Sequence, residues 1–116
     1  MVDRIFQWAR AIEGPRDGHY HYEDLCQRAE YIESELKNKG FVVERNSFEF
    51  RKRTFWNIVA TEKGFNSSNN WVLVGAHYDA VAGSPGADDN ASGVVVLLEV
   101  AKTLGPRPGL VFVCFT

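Results

Sequence analysis

The stretch Trp71-Val-Leu-Val-Gly75 is continuously apolar, and so is the segment from Leu110 to Phe115. Such runs are typical of strands that are buried on both faces of a sheet. Between them, Ser92 to Leu104 is rich in valine, leucine and alanine and is followed by Gly105-Pro106, which predicts a helix that ends there. A strand, a helix and a second strand form a right-handed crossover, so we expect the two strands to be parallel.

The residues before this unit predict two helices and a hairpin. Asp3 is the expected N-cap of a first helix that ends before Gly14-Pro15, and apolar residues at helical spacing predict a second helix from Tyr22 to Asn38. Residues 41–50 and 55–61 have strand composition and are joined by a charged turn, which predicts an antiparallel hairpin. The fold class is therefore α/β, with a mixed sheet of about four strands flanked by three helices. A length of 116 residues predicts that 1–116 is a single domain.

Composition and charge exclude several classes of function. The net charge is only −2, and the basic cluster Arg51-Lys52-Arg53 is flanked by Glu44 and Glu49, so no basic stripe could follow a phosphate backbone and no nucleic-acid partner is expected. No apolar run approaches the roughly 20 residues that span a bilayer, so no membrane partner is expected either. The first residues lack the order of a secretory signal. Cys26 and Cys114 are predicted to be free thiols, which leaves the compartment open.

The loop after the first buried strand concentrates the chemistry. Ligands collect beyond the carboxyl ends of parallel strands, and this loop carries His77, Asp79, Asp88 and Asp89. A carboxylate two residues from a histidine could accept the ring N–H that a metal does not use, which fixes the orientation of the ring. Asp88 and Asp89 add anionic oxygen ligands. The pattern favours a metal site.

A purely structural role is the alternative for the acidic residues. Asp88, Asp89 and Asn90 precede an apolar helix, where aspartate and asparagine are good caps, so we expect at least one of them to cap it. Capping does not require two adjacent acids and a His-x-Asp pair. So much negative charge beside apolar elements is costly without a cation, which favours the metal. His19 and His21 are expected to lie in a turn rather than to bind metal.

Two motifs carry a resemblance to a known family. Gly75-Ala-His-Tyr-Asp79 and Pro85-Gly-Ala-Asp-Asp-Asn-Ala-Ser-Gly93, with the helix that follows, resemble the co-catalytic zinc aminopeptidases. This family includes bacterial leucyl aminopeptidases, aminopeptidase Y and relatives of glutamate carboxypeptidase. The resemblance implies a three-layer α/β/α zinc-exopeptidase fold, of which these residues would be the N-terminal part. It also implies an enzyme that releases N-terminal residues from peptide substrates with two zinc ions.

The resemblance implies a role for each matching residue. His77 corresponds to a ligand of one zinc, Asp79 to the catalytic-site carboxylate that orients His77, and Asp88 to the aspartate that bridges the two zincs. The Asp88-Asp89 peptide is expected to be cis, as the bond after the bridging aspartate commonly is in the family. Family members continue past the strand that ends at Phe115 with a Glu-Glu pair, the general base and a zinc ligand. That pair and two further ligands are absent from these 116 residues, which are therefore expected to be inactive and to bind zinc weakly.

Three alternatives stay open. A glutaminyl cyclase relative would share the fold and part of the site but use one zinc ion and transfer an acyl group within its substrate. A domain that keeps the peptidase fold without activity is the non-enzymatic alternative. Finally, the edge of the Trp71 to Gly75 strand is expected to be open and apolar, so the chain is predicted to self-associate through it.

Overall fold

A computed structural model describes all 116 residues and contains three helices and four strands. The predicted numbers of helices and strands are confirmed. In chain order the elements are α1 (Val2–Ile12), α2 (Tyr22–Asn38), β1 (Val42–Phe50), β2 (Arg53–Thr61), β3 (Val72–His77), α3 (Gly93–Leu104) and β4 (Leu110–Phe115).

The four strands form one mixed sheet in the order β1-β2-β4-β3. β1 and β2 form the predicted antiparallel hairpin, and β2 is also antiparallel to β4. β3 and β4 are parallel, as the crossover predicts, with His77 paired to Phe115. The carboxyl ends of the two parallel strands therefore lie at the same edge of the sheet, and His77 is placed there.

One face of the sheet packs against the helices. Ile58 and Ala60 of β2 and Phe112 and Cys114 of β4 are fully buried in a hydrophobic core shared with all three helices. Register pairs Ile58 with Cys114 and Ala60 with Phe112, so these side chains project to the same face. Full burial of the larger side chains, Ile58 and Phe112, contributes about 1.5–3 kcal/mol each. The three helices thus cover one face of the sheet. The 116 residues form two layers, one of strands and one of helices.

Several boundaries differ from the sequence-based expectation. β3 runs from Val72 to His77 rather than from Trp71 to Gly75, and β1 and α3 each begin one residue later than expected. α1 begins at Val2 with Met1 at the N-cap, so the prediction that Asp3 is the cap is wrong, and Asp3 lies in the first turn instead. The hairpin turn comprises only Arg51 and Lys52, whose φ angles are 49° and 64°. Such mirror-image two-residue turns match the twist of paired strands, so β2 begins two residues earlier than predicted.

The remaining structural expectations concern thiols and membranes. Cys26 and Cys114 are both free, as predicted. Burial raises the pKa of Cys114 to about 12, so its thiol is unreactive. None of the three helices combines the length and the apolar character needed to cross a bilayer.

Candidate metal centre

The ring of His77 lies between two carboxylates at the carboxyl edge of the sheet. Its Nδ1 atom is 3.2 Å from Oδ1 of Asp79, and its Nε2 atom is 2.9 Å from Oδ1 of Asp89. β3 ends at His77, so Asp79 lies two residues after the strand, whereas Asp89 comes from the turn that precedes α3. The fold therefore brings together a histidine, the carboxylate of Asp79 two residues later and the carboxylate of Asp89 twelve residues later.

This arrangement has the chemistry of a cation site. A neutral imidazole has one N–H, so it can donate to only one of the two facing carboxylates. Both contacts are attractive only if the ring carries a second proton, or if a cation lies between Nε2 and the Asp89 carboxylate in place of that proton. Side-chain exposure is 44% for His77 and 77% for Asp89, so the pair is accessible to an ion from solvent. Exposed ion pairs contribute only about 0–1 kcal/mol to folding, so stability alone gives little reason for the cluster.

The second acid at the ring is Asp89, whereas the resemblance pointed to Asp88. The Asp88 carboxylate forms no hydrogen bond or ion pair, and its backbone carbonyl accepts a 2.7 Å hydrogen bond from Oγ of Ser92. The reason is the local backbone, because Asp89 and Asn90 leave helical geometry at φ −108°, ψ 86° and φ −141°, ψ 39°. This break turns the Asp89 carboxylate towards His77. The roles of His77, Asp79 and Asp88 at a metal stay predictions.

The turn from Ala87 to Ser92 corrects one expectation and confirms another. Its cis peptide bond joins Asp89 to Asn90, so the predicted position one residue earlier is wrong, since two adjacent aspartates fit the motif equally well. The side chain of Ser92, the residue directly before α3, makes no capping hydrogen bond, but Oδ1 of Asn90 accepts a 3.2 Å hydrogen bond from the backbone N–H of Gly93, the first residue of α3, as predicted for one of the three polar residues. One residue of the predicted capping group thus serves the helix, and its neighbour Asp89 faces His77.

His19 and His21 lie in the turn before α2, as predicted. Nδ1 of His21 is 2.6 Å from Oδ1 of Asp17, whose other oxygen accepts backbone hydrogen bonds from His19 and Tyr20. Burial alone would raise the pKa of Asp17, but the hydrogen bonds from Tyr20, His21 and His19 lower it to about 2. Asp17 therefore holds this turn as a carboxylate.

A cavity of about 560 Å³ adjoins the candidate site on the side of Asp79. Its lining combines apolar side chains of the hairpin and of α2 with the cations of Arg51 and Arg53, and it reaches Thr116 at the end of β4. The cavity gives a solvent-filled approach to the carboxyl edge of the sheet.

The donor set at this centre is partial. The chain has no group of three or more His, Cys, Asp or Glu side chains arranged to hold a metal ion, so His77 and Asp89 are two candidate ligands without a third. An imidazole nitrogen and a carboxylate oxygen are both zinc-ligand atoms. Asp79 supplies the carboxylate that commonly accepts the other ring N–H of a histidine ligand. The residues present fit the first part of a zinc site.

Sequence reasoning missed two residues at this centre. Asp89 was included only as one of two adjacent acids, and no local signal separates it from Asp88. Arg16, which is fully buried, donates hydrogen bonds to the backbone of the loop that carries the site. An arginine after Gly14-Pro15 on a short turn resembles any surface residue, so only the fold reveals its position.

Comparison with known proteins places these features in a family. Residues 57–116 match Peptidase family M28. Leucine aminopeptidase 2 of Trichophyton equinum is 47% identical over 55 residues, which cover 47% of this chain and 11% of the fungal protein.

Two solved structures share the fold. The glutaminyl cyclase of Macrostomum lignano has a TM-score of 0.76 and 27% identity over 99% of this chain and 37% of that chain. A Zn-dependent exopeptidase from Parabacteroides distasonis ATCC 8503 has a TM-score of 0.68 and 26% identity over 96% of this chain and 43% of that chain. The chain thus spans less than half the length of each of these three proteins. The family match extends over just over half of the chain, including β3, the site-bearing loop and β4, so the chain belongs to peptidase family M28.

Proposed function

We propose that these residues form the N-terminal part of the catalytic domain of a metallo-aminopeptidase-type hydrolase that releases N-terminal residues from peptides. The observation that carries the proposal is the His77 ring, held between Asp79 and Asp89 at the carboxyl edge of a mixed sheet. The family match and the similarity to a leucine aminopeptidase support the same reaction class. Peptide substrates would approach through the cavity beside Asp79.

Each residue has a distinct part in the proposed centre. His77 would bind zinc through Nε2, and Asp79 would hold the ring in place by accepting the N–H of Nδ1. Asp89 would supply a carboxylate oxygen to the same ion, with Asp88 as the alternative that the motif alone suggests. Bound zinc supplies a water of lowered pKa and polarises a peptide carbonyl, and two ions are proposed for the complete enzyme.

The 116 residues alone are proposed to be inactive. Two candidate ligands are fewer than the three protein ligands that a catalytic zinc usually keeps, and the Glu-Glu pair expected from the family resemblance is absent from these residues. The chain itself is therefore expected to leave an aminoacyl anilide intact. Hydrolysis of leucyl 4-nitroanilide by the purified 116-residue chain would contradict this part of the proposal.

A glutaminyl cyclase-like acyl transfer is the second candidate. It is favoured by the fold similarity to the Macrostomum lignano cyclase, which covers nearly the whole chain. The two reactions separate in the complete protein, because an aminopeptidase releases the first residue of a leucyl peptide, whereas a cyclase converts an N-terminal glutamine without cleaving the chain. Neither reaction in a zinc-loaded complete protein would favour the non-catalytic domain instead.

Zinc binding tests the ligand assignment directly in this chain. We expect Zn²⁺ to bind weakly and to perturb the His77 ring in an NMR titration. His77→Ala and Asp89→Asn should each weaken binding at least about tenfold, since even the loss of an outer-shell partner costs that much. Asp88→Asn is the matched control, because it removes the adjacent charge without touching the ring, and should change the affinity about threefold at most. A larger loss in Asp88→Asn than in Asp89→Asn would restore the motif-based assignment.

The open edge of β3 is proposed to mediate self-association. β3 lies at one end of the sheet, and Val72 and Leu73 are 64% and 43% exposed. Unpaired strand edges of this kind pair with other chains, so sedimentation equilibrium should show a concentration-dependent dimer. Leu73→Lys should shift the chain towards monomer, whereas Val42→Lys, at the opposite edge, should not. A wild-type chain that stays monomeric at every concentration would exclude this contact.

A further inference from the structure

Arg16 is a fully buried cation whose hydrogen bonds all go to backbone carbonyls. Its Nε donates to the carbonyl of Tyr78 at 2.6 Å, and its Nη2 donates to the carbonyl of Gly86 at 2.9 Å. Its Nη1 donates to the carbonyls of Pro85 at 2.6 Å and Gly14 at 2.9 Å. Four acceptors are thus held by one planar guanidinium, whose fixed fork of donors a lysine could not reproduce.

Three of these carbonyls, those of Tyr78, Pro85 and Gly86, belong to the chain segments that enter and leave the candidate metal centre, and the fourth, that of Gly14, lies in the turn that carries Arg16. Tyr78 directly follows His77, so the first hydrogen bond fixes the exit of β3. Pro85 and Gly86 begin the turn that carries Asp89, and the carbonyl of Pro85 also accepts a 2.8 Å hydrogen bond from the amide of Gly14. Arg16 therefore joins the two ends of the loop, and the separation of His77 and Asp89 depends on that junction.

The charge of Arg16 suits this position. No carboxylate pairs with it directly, and an unpaired buried cation is costly unless its hydrogen bonds are satisfied. Burial lowers the pKa of Arg16, as does the cation of Arg28, whereas the carboxylates of Asp79, Glu13 and Asp89 oppose the shift. A guanidinium stays charged in proteins, so Arg16 lies as a fixed positive charge behind the acids of the site. Stability alone is a poor reason for such a residue, because a buried charge is weak evidence for stabilisation.

We propose that Arg16 is a positioning residue of the metal centre, whose guanidinium clamps the exit of β3 to the turn before α3 and so holds His77 and Asp89 at binding distance. The inference rests on the proposed function only in the statement that His77 and Asp89 bind a metal ion. Whether Arg16 holds the two residues in place is tested on the metal-free chain.

The test compares Arg16→Met with Arg28→Met. Arg28 is a matched control, because it also donates to two carbonyls, those of Ile12 and Glu13, but contacts no residue of the loop. Amide hydrogen exchange of the metal-free chains is measured at a temperature where both remain folded by circular dichroism. In Arg16→Met the amides of Tyr78 and Ala91 should exchange at least about tenfold faster, since hydrogen bonds to a charged donor are lost. In Arg28→Met they should stay within about threefold of wild type. Equal exchange at these amides in wild type and Arg16→Met would overturn the proposal.

A zinc titration adds a readout that a merely structural residue would not move. Misplacing the ligands should weaken binding about tenfold in Arg16→Met, as the loss of supporting residues commonly does, and Arg16→Lys should recover only part of it. Tighter binding in Arg16→Met would show that the cation acts by repulsion alone and would overturn the clamp. If zinc leaves the wild-type His77 unperturbed, the proposed function fails, and the exchange comparison still decides the role of Arg16.

If Arg16→Met does not fold, the wild-type chain provides the test. A loop held by Arg16 is expected to open only when the whole chain unfolds. The amides of Gly14 and Ala91, which donate to Pro85 and Gly86, should then exchange as slowly as those in the middle of β4. Exchange of these two amides about a hundredfold faster than that of β4 would mean that the loop opens on its own, against the proposal.

Discussion

Replacing Gly86 with alanine is expected to destabilise the chain by about 2–4 kcal/mol and to separate His77 from Asp89. Gly86 has a φ of +58°, a conformation in which a Cβ costs about 1–2 kcal/mol. A Cβ there would also lie 2.8 Å from the carbonyl oxygen of Asp89 and 2.9 Å from Nη2 of Arg16. Because the first of these atoms is backbone, the turn itself must move. Urea unfolding followed by tryptophan fluorescence measures the loss.

Gly83→Ala separates the two causes. Gly83 is in the same loop and has a φ of +84°, but a Cβ would meet no atom within 4 Å. This control should therefore lose only the conformational part, about 1–2 kcal/mol, and keep the zinc response of His77. If both variants lost the same free energy of unfolding, the close packing of Gly86 against Asp89 would contribute nothing to stability.

The helices and strands of this chain were predictable because their signals are local. α2 and β4 have the predicted bounds, since helical spacing ends at a lysine and glycine in one case and a continuous apolar run defines the other. The hairpin turn was not predictable to the residue. Arg51 and Lys52 adopt positive φ angles that their residue types rarely indicate, so the charged segment was expected to be a longer turn.

The candidate site was less predictable, because only some of its residues follow from local sequence patterns. His77 and Asp79 could be assigned from their spacing after a buried strand, and the structure brings their side chains together. The choice between Asp88 and Asp89 depends on the non-helical backbone angles of Asp89 and Asn90, which their residue types do not specify. Arg16 contacts carbonyls that are 62 to 70 residues away in sequence, and no pattern in a single sequence shows such a contact. Local motifs therefore located the candidate site, whereas the backbone geometry of the folded chain shows which acid faces the ring and which arginine supports the loop.

Asp17→Asn is expected to cost roughly 2 kcal/mol of folding free energy at neutral pH and to remove part of the acid sensitivity of the chain. The folded-state pKa of Asp17 is about 2, below its ordinary value of 3.8. A lowered folded-state pKa stabilises above the unfolded value, so this contribution is complete above about pH 4 and is lost as the pH falls towards 2. Asparagine keeps an acceptor for the amide of Tyr20 or His19 but lacks the charge that attracts the ring of His21.

The difference in unfolding free energy between wild type and Asp17→Asn, measured in urea from pH 7 to pH 2, should therefore be constant at first and then shrink below pH 4. Asp24→Asn is the control, since its exposed ion pair with Arg28 at 3.8 Å should contribute less than about 1 kcal/mol. A difference that stays constant down to pH 2 would mean that the loss comes from altered packing rather than from charge.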